Sequence, residues 1–260
     1  MDPMFVEDSG KGDAVLLLHG TPSPAADWAS VAGALAGRFR VLVPELPGYG
    51  RSPMLADSSM ENVGGAIAAM LADRGIDQLH AIVGYSTGAY RAFDLLLRHR
   101  LPTKLVVSLA GIANFDAAAR AMRQQFAEAL AADPAFIDSE AVRDAMRELM
   151  LSPRWRKEHP EDEARVIHWP RTTSSPALAA ELHALAISRD LRPELPRIEA
   201  FVYARVGDAD VGAPPPSSRE IIDAVPRGEL DIVPGCGHGL LIEDLAATTE
   251  AIVRQVNAHG

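Results

Sequence analysis

Cysteine is almost missing from this chain: Cys236 is the only one in 260 residues. An internal disulfide is therefore excluded, and at this length a buried core needs no such staple. A single thiol also suits a reducing compartment. Cations are short too, with 25 Lys and Arg against 35 Asp and Glu and a formal net charge of −10. No surplus of positive charge is available to neutralise phosphates, so nucleic acid is not an expected partner. The same sign disfavours anionic membrane surfaces. No apolar run approaches the roughly 20 residues that a bilayer-crossing helix needs. The opening Met1-Asp2-Pro3-Met4-Phe5-Val6-Glu7-Asp8 is acidic and has no apolar signal core. Internal repeats are absent as well. We expect a soluble cytoplasmic protein, and nothing in the sequence indicates its oligomeric state.

What is present is an ordinary globular balance, 48% hydrophobic and 23% charged. The chain is organised around residues 79–97. An apolar run of strand length leads into Gly84-Tyr85-Ser86-Thr87-Gly88, and an apolar-rich helix follows at once. A strand, a serine and a helix with no loop between them force a sharp turn. Glycine is needed at positions 84 and 88 so that the turn can close against its neighbours. The serine is lifted clear of the sheet to a helix N-terminus, where unpaired N–H groups favour developing negative charge.

Other apolar runs of strand length occur at 14–18, 40–43, 104–109, 199–204 and 229–233, with a short edge strand at 4–7. Helical spacing covers 28–35, 60–73, 217–224 and 241–256. Strands alternating with helices predict an α/β architecture with a mostly parallel sheet of about seven strands. From 112 to 191 there is no strand-like run. Helical segments near 116–131, 139–151, 161–167 and 176–188 take its place. We expect a core domain from 1–111 and 192–260, with 112–191 forming a helical cap inserted between two of its strands.

Three chemically capable residues lie just past strand ends, where open α/β sheets place ligands. They are Ser86, Asp210 and His238, in that chain order. In these features the chain resembles the α/β-hydrolase family. His19-Gly20, Pro47-Gly48-Tyr49-Gly50-Arg51-Ser52, the elbow, Gly207-x-x-Asp210 and Gly237-His238 carry the resemblance. It implies that fold, with the cap following the sixth strand of the family's sheet. It also implies a Ser-His-Asp triad: Ser86 as nucleophile, His238 as its base, and Asp210 orienting the imidazole. Family spacing selects Asp210 over the nearby Asp208. The oxyanion hole would use the backbone N–H groups of Thr21 and Thr87.

Within the family the residues discriminate. Epoxide hydrolases and haloalkane dehalogenases share the run from His19 to Pro22 but carry aspartate on the elbow, where this chain has Ser86. The cap has no tyrosine to activate an epoxide, and Thr87 stands where dehalogenases place a halide-binding tryptophan. Proline iminopeptidases match less well around the elbow. The expected activity is hydrolysis of a small-molecule ester, thioester or lactone through an acyl-enzyme, without a cofactor. A carbon–carbon-bond hydrolase or lyase using the same triad is the alternative, as is a receptor-like binding protein with vestigial catalysis.

Other conspicuous residues take structural readings. His19 is expected to hold the loop behind the oxyanion site by a hydrogen bond. Cys236 reads as a small buried thiol. His159, His168 and His183 lack ligand spacing, so no metal is expected. Arg154-Trp155-Arg156-Lys157 reads as a solvated helix end with one buried indole. Tyr85 is expected to pack beneath the sheet's end. Met122, Met146, Met150, Phe126, Phe136, Trp155 and Trp169 are expected in the cap's core and on its underside.

Overall fold

The computed structural model describes residues 4–259. Seven strands form one sheet: β1 (Val6–Ser9), β2 (Ala14–Leu18), β3 (Arg40–Pro44), β4 (Leu79–Tyr85), β5 (Thr103–Leu109), β6 (Phe201–Gly207) and β7 (Gly228–Val233). Their order across the sheet is β1-β3-β2-β4-β5-β6-β7. Only β1 runs antiparallel, pairing Val6 with Pro44 at the edge. The continuous apolar runs have the expected cause, since both faces of the sheet are covered. Along β2, Leu16 and Leu18 face one side and Val15 and Leu17 the other. Alternate side chains thus feed two separate cores.

On the Leu16 face lie α2 (Met60–Ala72), α3 (Thr87–His99) and α9 (Pro215–Ala224), through Ile67, Phe93 and Ile221. On the Val15 face lie α1 (Ala29–Leu35) and α11 (Leu245–Ala258), through Val31, Leu35 and Ile252. The final helical stretch is broken rather than continuous. A short α10 (Leu240–Glu243) precedes α11, and Asp244 between them leaves helical geometry. Its carboxylate instead accepts from Arg205 at 2.6 Å and from the Thr248 hydroxyl at 2.9 Å.

Between β5 and β6 there are helices and no strand: α4 (Ala117–Ala132), α5 (Glu140–Met150), α6 (Pro153–Glu158), α7 (Pro160–Val166) and α8 (Ser175–Ala186). Four of them start on a side-chain cap. Asp116, Ser139, Ser152 and Ser174 each accept a hydrogen bond from the N–H three residues on. Such caps are worth about 1 kcal/mol each. Helix α6 is the segment read as a helix end. Trp155 there is half-buried rather than buried, because its ring stacks 3.9 Å from the His159 ring at the surface. Its indole N–H donates to Asp162 at 2.9 Å. Helices α4 and α8 pack together, and Val142, Met146 and Met150 turn the inner face of α5 toward Leu151, Val166 and Trp169. Among the described residues no helix is long and apolar enough to cross a membrane.

Candidate active site

Strand β4 ends at Tyr85 and helix α3 begins at Thr87, so Ser86 alone makes the turn. Its backbone sits at φ 54°, ψ −119°, a region that L-residues rarely adopt and that costs about 1–3 kcal/mol. The N–H of Ser86 donates to Leu109 O at 2.8 Å and pins the turn to β5. Both elbow glycines are required by close approach. A Cβ at Gly84 would meet the Ala89 backbone at 2.5 Å, and one at Gly88 would meet Leu18 O at 2.3 Å.

His238 enters from the loop after β7, and its Nε2 lies 2.9 Å from Ser86 Oγ. Its Nδ1 lies 2.8 Å from Asp210 Oδ2, in the loop after β6. A carboxylate can only accept, so Nδ1 carries the proton and Nε2 accepts the serine hydroxyl. Asp210 is 3% exposed and satisfied on its other oxygen by the N–H groups of Gly212 and Ala213, each at 2.8 Å. Asp208 is exposed and turned elsewhere, accepting the Gly235 N–H at 2.6 Å. Tyr85 does more than fill space. Its hydroxyl donates to the carbonyl of His238 at 3.0 Å, and burial raises its pKa well above the ordinary value.

Thr21, after β2, and Thr87, the first residue of α3, come together across the turn. Neither backbone N–H has a protein partner among the described residues. Their hydroxyls are linked. Thr21 donates to Glu181 Oε1 at 2.8 Å, and its oxygen lies 2.8 Å from that of Thr87. Arg91 donates to Thr87 Oγ1 at 2.9 Å and forms an ion pair with Glu181. Tyr49 donates to the other Glu181 oxygen at 2.5 Å. Burial, with the Glu181 charge beside it, raises the Tyr49 hydroxyl well above its usual pKa.

His19 stands behind this group with its ring edge-on to Tyr49 at 4.6 Å. Its Nε2 accepts the Leu46 N–H at 3.0 Å and its Nδ1–H donates to Gly20 O at 2.9 Å. Complete burial lowers its pKa to about 4.

Ser86, Thr21, Thr87 and His238 open onto a cavity of about 330 Å³ that reaches under the helices between β5 and β6. Met122, Phe126 and Met146 line it, with Val142 and Leu182. Met150 and Trp169 are instead buried in the core, and Phe136 and Trp155 pack at its margin. A wider groove of about 1030 Å³ lies at the opposite end of the sheet, beside Thr103, Phe201 and Arg227, and holds none of these residues. His159, Glu161 and Asp162 bring three possible metal-ligand atoms within 4.8 Å of one another on the surface. Histidine spacing alone could not reveal that grouping. Cys236 is free and buried, and burial pushes its thiol up to about 12.

The residues that sequence reasoning passed over are Arg91, Glu181 and Arg123. Arg91 follows Thr87 by one helical turn, so a cation beside Thr87 was legible. Its partner 90 residues away was not.

A family model described as the alpha/beta hydrolase family matches residues 15–251. A pimeloyl-[acyl-carrier protein] methyl ester esterase of Nitrosomonas europaea is 28% identical over 244 residues, covering 92% of this chain and 93% of that protein. One of the same name from Methylococcus capsulatus is 40% identical, but only over 91 residues, 35% of this chain and 34% of its own. Among solved structures, a malate-bound thermophilic esterase from Thermogutta terrifontis superposes with a TM-score of 0.88 at 25% identity. That match covers 99% of this chain and 94% of the esterase.

Proposed function

The chain belongs to the alpha/beta hydrolase family, and on that premise we propose that it cleaves a small-molecule ester, thioester or lactone through an acyl-enzyme on Ser86. The observation that carries this is the unbroken line from Ser86 Oγ to His238 Nε2 at 2.9 Å and from His238 Nδ1 to Asp210 at 2.8 Å. Several curated relatives of similar length are named as esterases, which agrees with it, and one is named a 2-hydroxy-6-oxo-6-phenylhexa-2,4-dienoate hydrolase.

In this reading a bound carbonyl sits above Ser86. As Oγ attacks the carbonyl carbon, its proton passes to His238 Nε2. Asp210 holds the ring in the reactive tautomer and stabilises the imidazolium that forms. The carbonyl oxygen becomes an oxyanion facing the N–H groups of Thr21 and Thr87, both unpartnered among the described residues. A donor of that kind is worth about 3–4 kcal/mol of barrier. Collapse of the intermediate breaks the bond to the leaving alkoxide, thiolate or ring oxygen, which takes the proton from Nε2. Water then attacks the acyl-Ser86 carbonyl and gives a proton to the same nitrogen; collapse breaks the bond from Oγ to the acyl carbon, Oγ takes that proton back, and the acid is released.

Residues 112–191 act here as the cap, supplying the apolar wall of the cavity with Phe126, Met146 and Leu182. A fluorophosphonate probe tests the reading. Rapid labelling at Ser86, with turnover of short p-nitrophenyl esters that Ser86→Ala loses, supports it. Ligand binding without labelling or turnover would leave a receptor-like protein.

A further inference from the structure

The cavity above Ser86 is apolar apart from its catalytic end and two charged side chains, Arg123 and Glu148. Arg123 lines it from α4, near Met122 and Phe126. A guanidinium has five N–H donors, and among the described residues only Nη1 of Arg123 has a partner, the Ala119 carbonyl one turn back at 2.9 Å. Its Cζ sits 4.1 Å from the centre of the Phe115 ring. No carboxylate lies within the 4.0 Å of an ion pair, among the described residues.

The other half-buried or buried arginines nearby are spoken for. Arg120, on the same helix, donates to the carbonyls of Phe115, Ala186 and Ser188 and to Asn114. Arg91 pairs with Glu181, and Arg189 with Asp94 and Glu194. Asp116 acts on Arg123 only from a distance, opposed by Arg120. Glu148, across the cavity on α5, is exposed and forms no pair with it.

Burial lowers the Arg123 pKa to about 10, so the group is still a cation at neutral pH. Arg123 is half-buried, and a cation partly withdrawn from water without a paired counter-charge is destabilised. Stacking on Phe115 offsets part of that and uses none of the remaining donors.

We propose that Arg123 binds a carboxylate carried by the substrate at the end remote from the bond being cleaved. The favoured substrates are then half-esters of dicarboxylic acids, or lactones and thioesters with an anionic tail. The guanidinium fork suits such a group bidentately. The apolar walls between Arg123 and Ser86 would hold the intervening methylene chain. This inference rests on Ser86 being the reacting residue.

The test compares monomethyl esters of succinate through suberate with methyl esters of neutral monoacids of equal length. The quantity read is the ratio of kcat/KM, anionic over neutral, in the wild type, Arg123→Met and Arg123→Lys. The best-fitting half-ester should be preferred by the wild type. Arg123→Met should lower the ratio about 10- to 100-fold, the scale of a charge-assisted hydrogen-bonded pair. The change should fall mainly on KM, because the carboxylate is bound alike in ground and transition states. Arg123→Lys, which keeps the charge and loses the fork, should fall between.

A second readout needs no turnover. The free dicarboxylate of the best length should raise the melting temperature of the wild type and not that of Arg123→Met. A ratio that Arg123→Met leaves unchanged, or a wild type that prefers the neutral esters, overturns the proposal. Absence of Ser86 labelling and of hydrolysis of every ester instead overturns the reading beneath it, and the melting shift still reports on Arg123.

Discussion

Glu181 of α8 and Arg91 of α3 form a buried ion pair directly behind the threonines beside Ser86. They are 8% and 4% exposed, and the carboxylate also accepts from Thr21 and Tyr49. One lone carboxylate thus ties α8 to the elbow helix, the loop after β2 and the loop after β3. Every atom of the Arg91 fork except Nε finds a partner.

Glu181→Gln should therefore destabilise the protein by about 3–5 kcal/mol, because it strands the Arg91 charge in the interior. For a chain of this size that lowers the melting temperature by roughly 10 °C. Replacing both partners, Arg91→Met with Glu181→Leu, should recover much of the loss. A Glu181→Gln protein that melts with the wild type would show the pair to be dispensable.

Asp210→Asn should cut ester turnover by about ten-thousand-fold through loss of the correct imidazole tautomer. Asp208→Asn removes only a charge on an exposed loop and keeps an oxygen that can accept the Gly235 N–H. It should stay within about tenfold of the wild type in kcat, a shift of about 1.4 kcal/mol in barrier. Steady-state kinetics on a p-nitrophenyl ester checks both, and a reversed ranking would move the acid role to Asp208.

Stability should depend on His19 with a definite sign. Its folded pKa of about 4 lies below the ordinary 6.5, so the native state prefers the neutral ring. Between those values the unfolded chain binds more protons, and stability rises with pH. The contribution is fully present above pH 6.5 and is lost as pH falls toward 4, by about 3 kcal/mol. Structurally, protonating Nε2 would set an N–H against the N–H of Leu46. Denaturant midpoints measured across this range should fall less steeply in His19→Gln than in the wild type. Equal slopes would assign the acid sensitivity to other groups.

Cys236 should be inert in the folded protein. It is 2% exposed, and burial raises its thiol to about 12. Only a small fraction is thiolate at pH 8, and that fraction is out of reach. Ellman's reagent should titrate one thiol after unfolding and none before. Fast native reaction would mean that the loop carrying His238 opens readily.

The elements legible in the sequence were those set by local physics. Apolar runs on β2, β4 and β5 had to be covered on both faces, so a parallel sheet with crossover helices followed. Helical spacing placed α4, α5, α7 and α8, while α6 (Pro153–Glu158) was read only as a helix end. The α10–α11 break was not legible, since Asp244 leaves the helix to meet Arg205, 39 residues away.

The same division holds at the candidate site. Gly84-x-Ser86-x-Gly88 is a local motif, and the backbone clashes that forbid a side chain at either glycine follow from the turn itself. Ser86, Asp210 and His238 were singled out by their places after strands and by family spacing. Their separations of 2.9 and 2.8 Å depend on loops converging from three strand ends. Short-range pattern therefore marked what kind of sheet would form, and the resemblance to a family marked which residues after its strands were expected to react. The tertiary structure alone decided that Glu181 neutralises Arg91 and that, among the described residues, no carboxylate meets Arg123. Charge pairing is a matter of distance in space, and a linear chain of amino acids does not contain it.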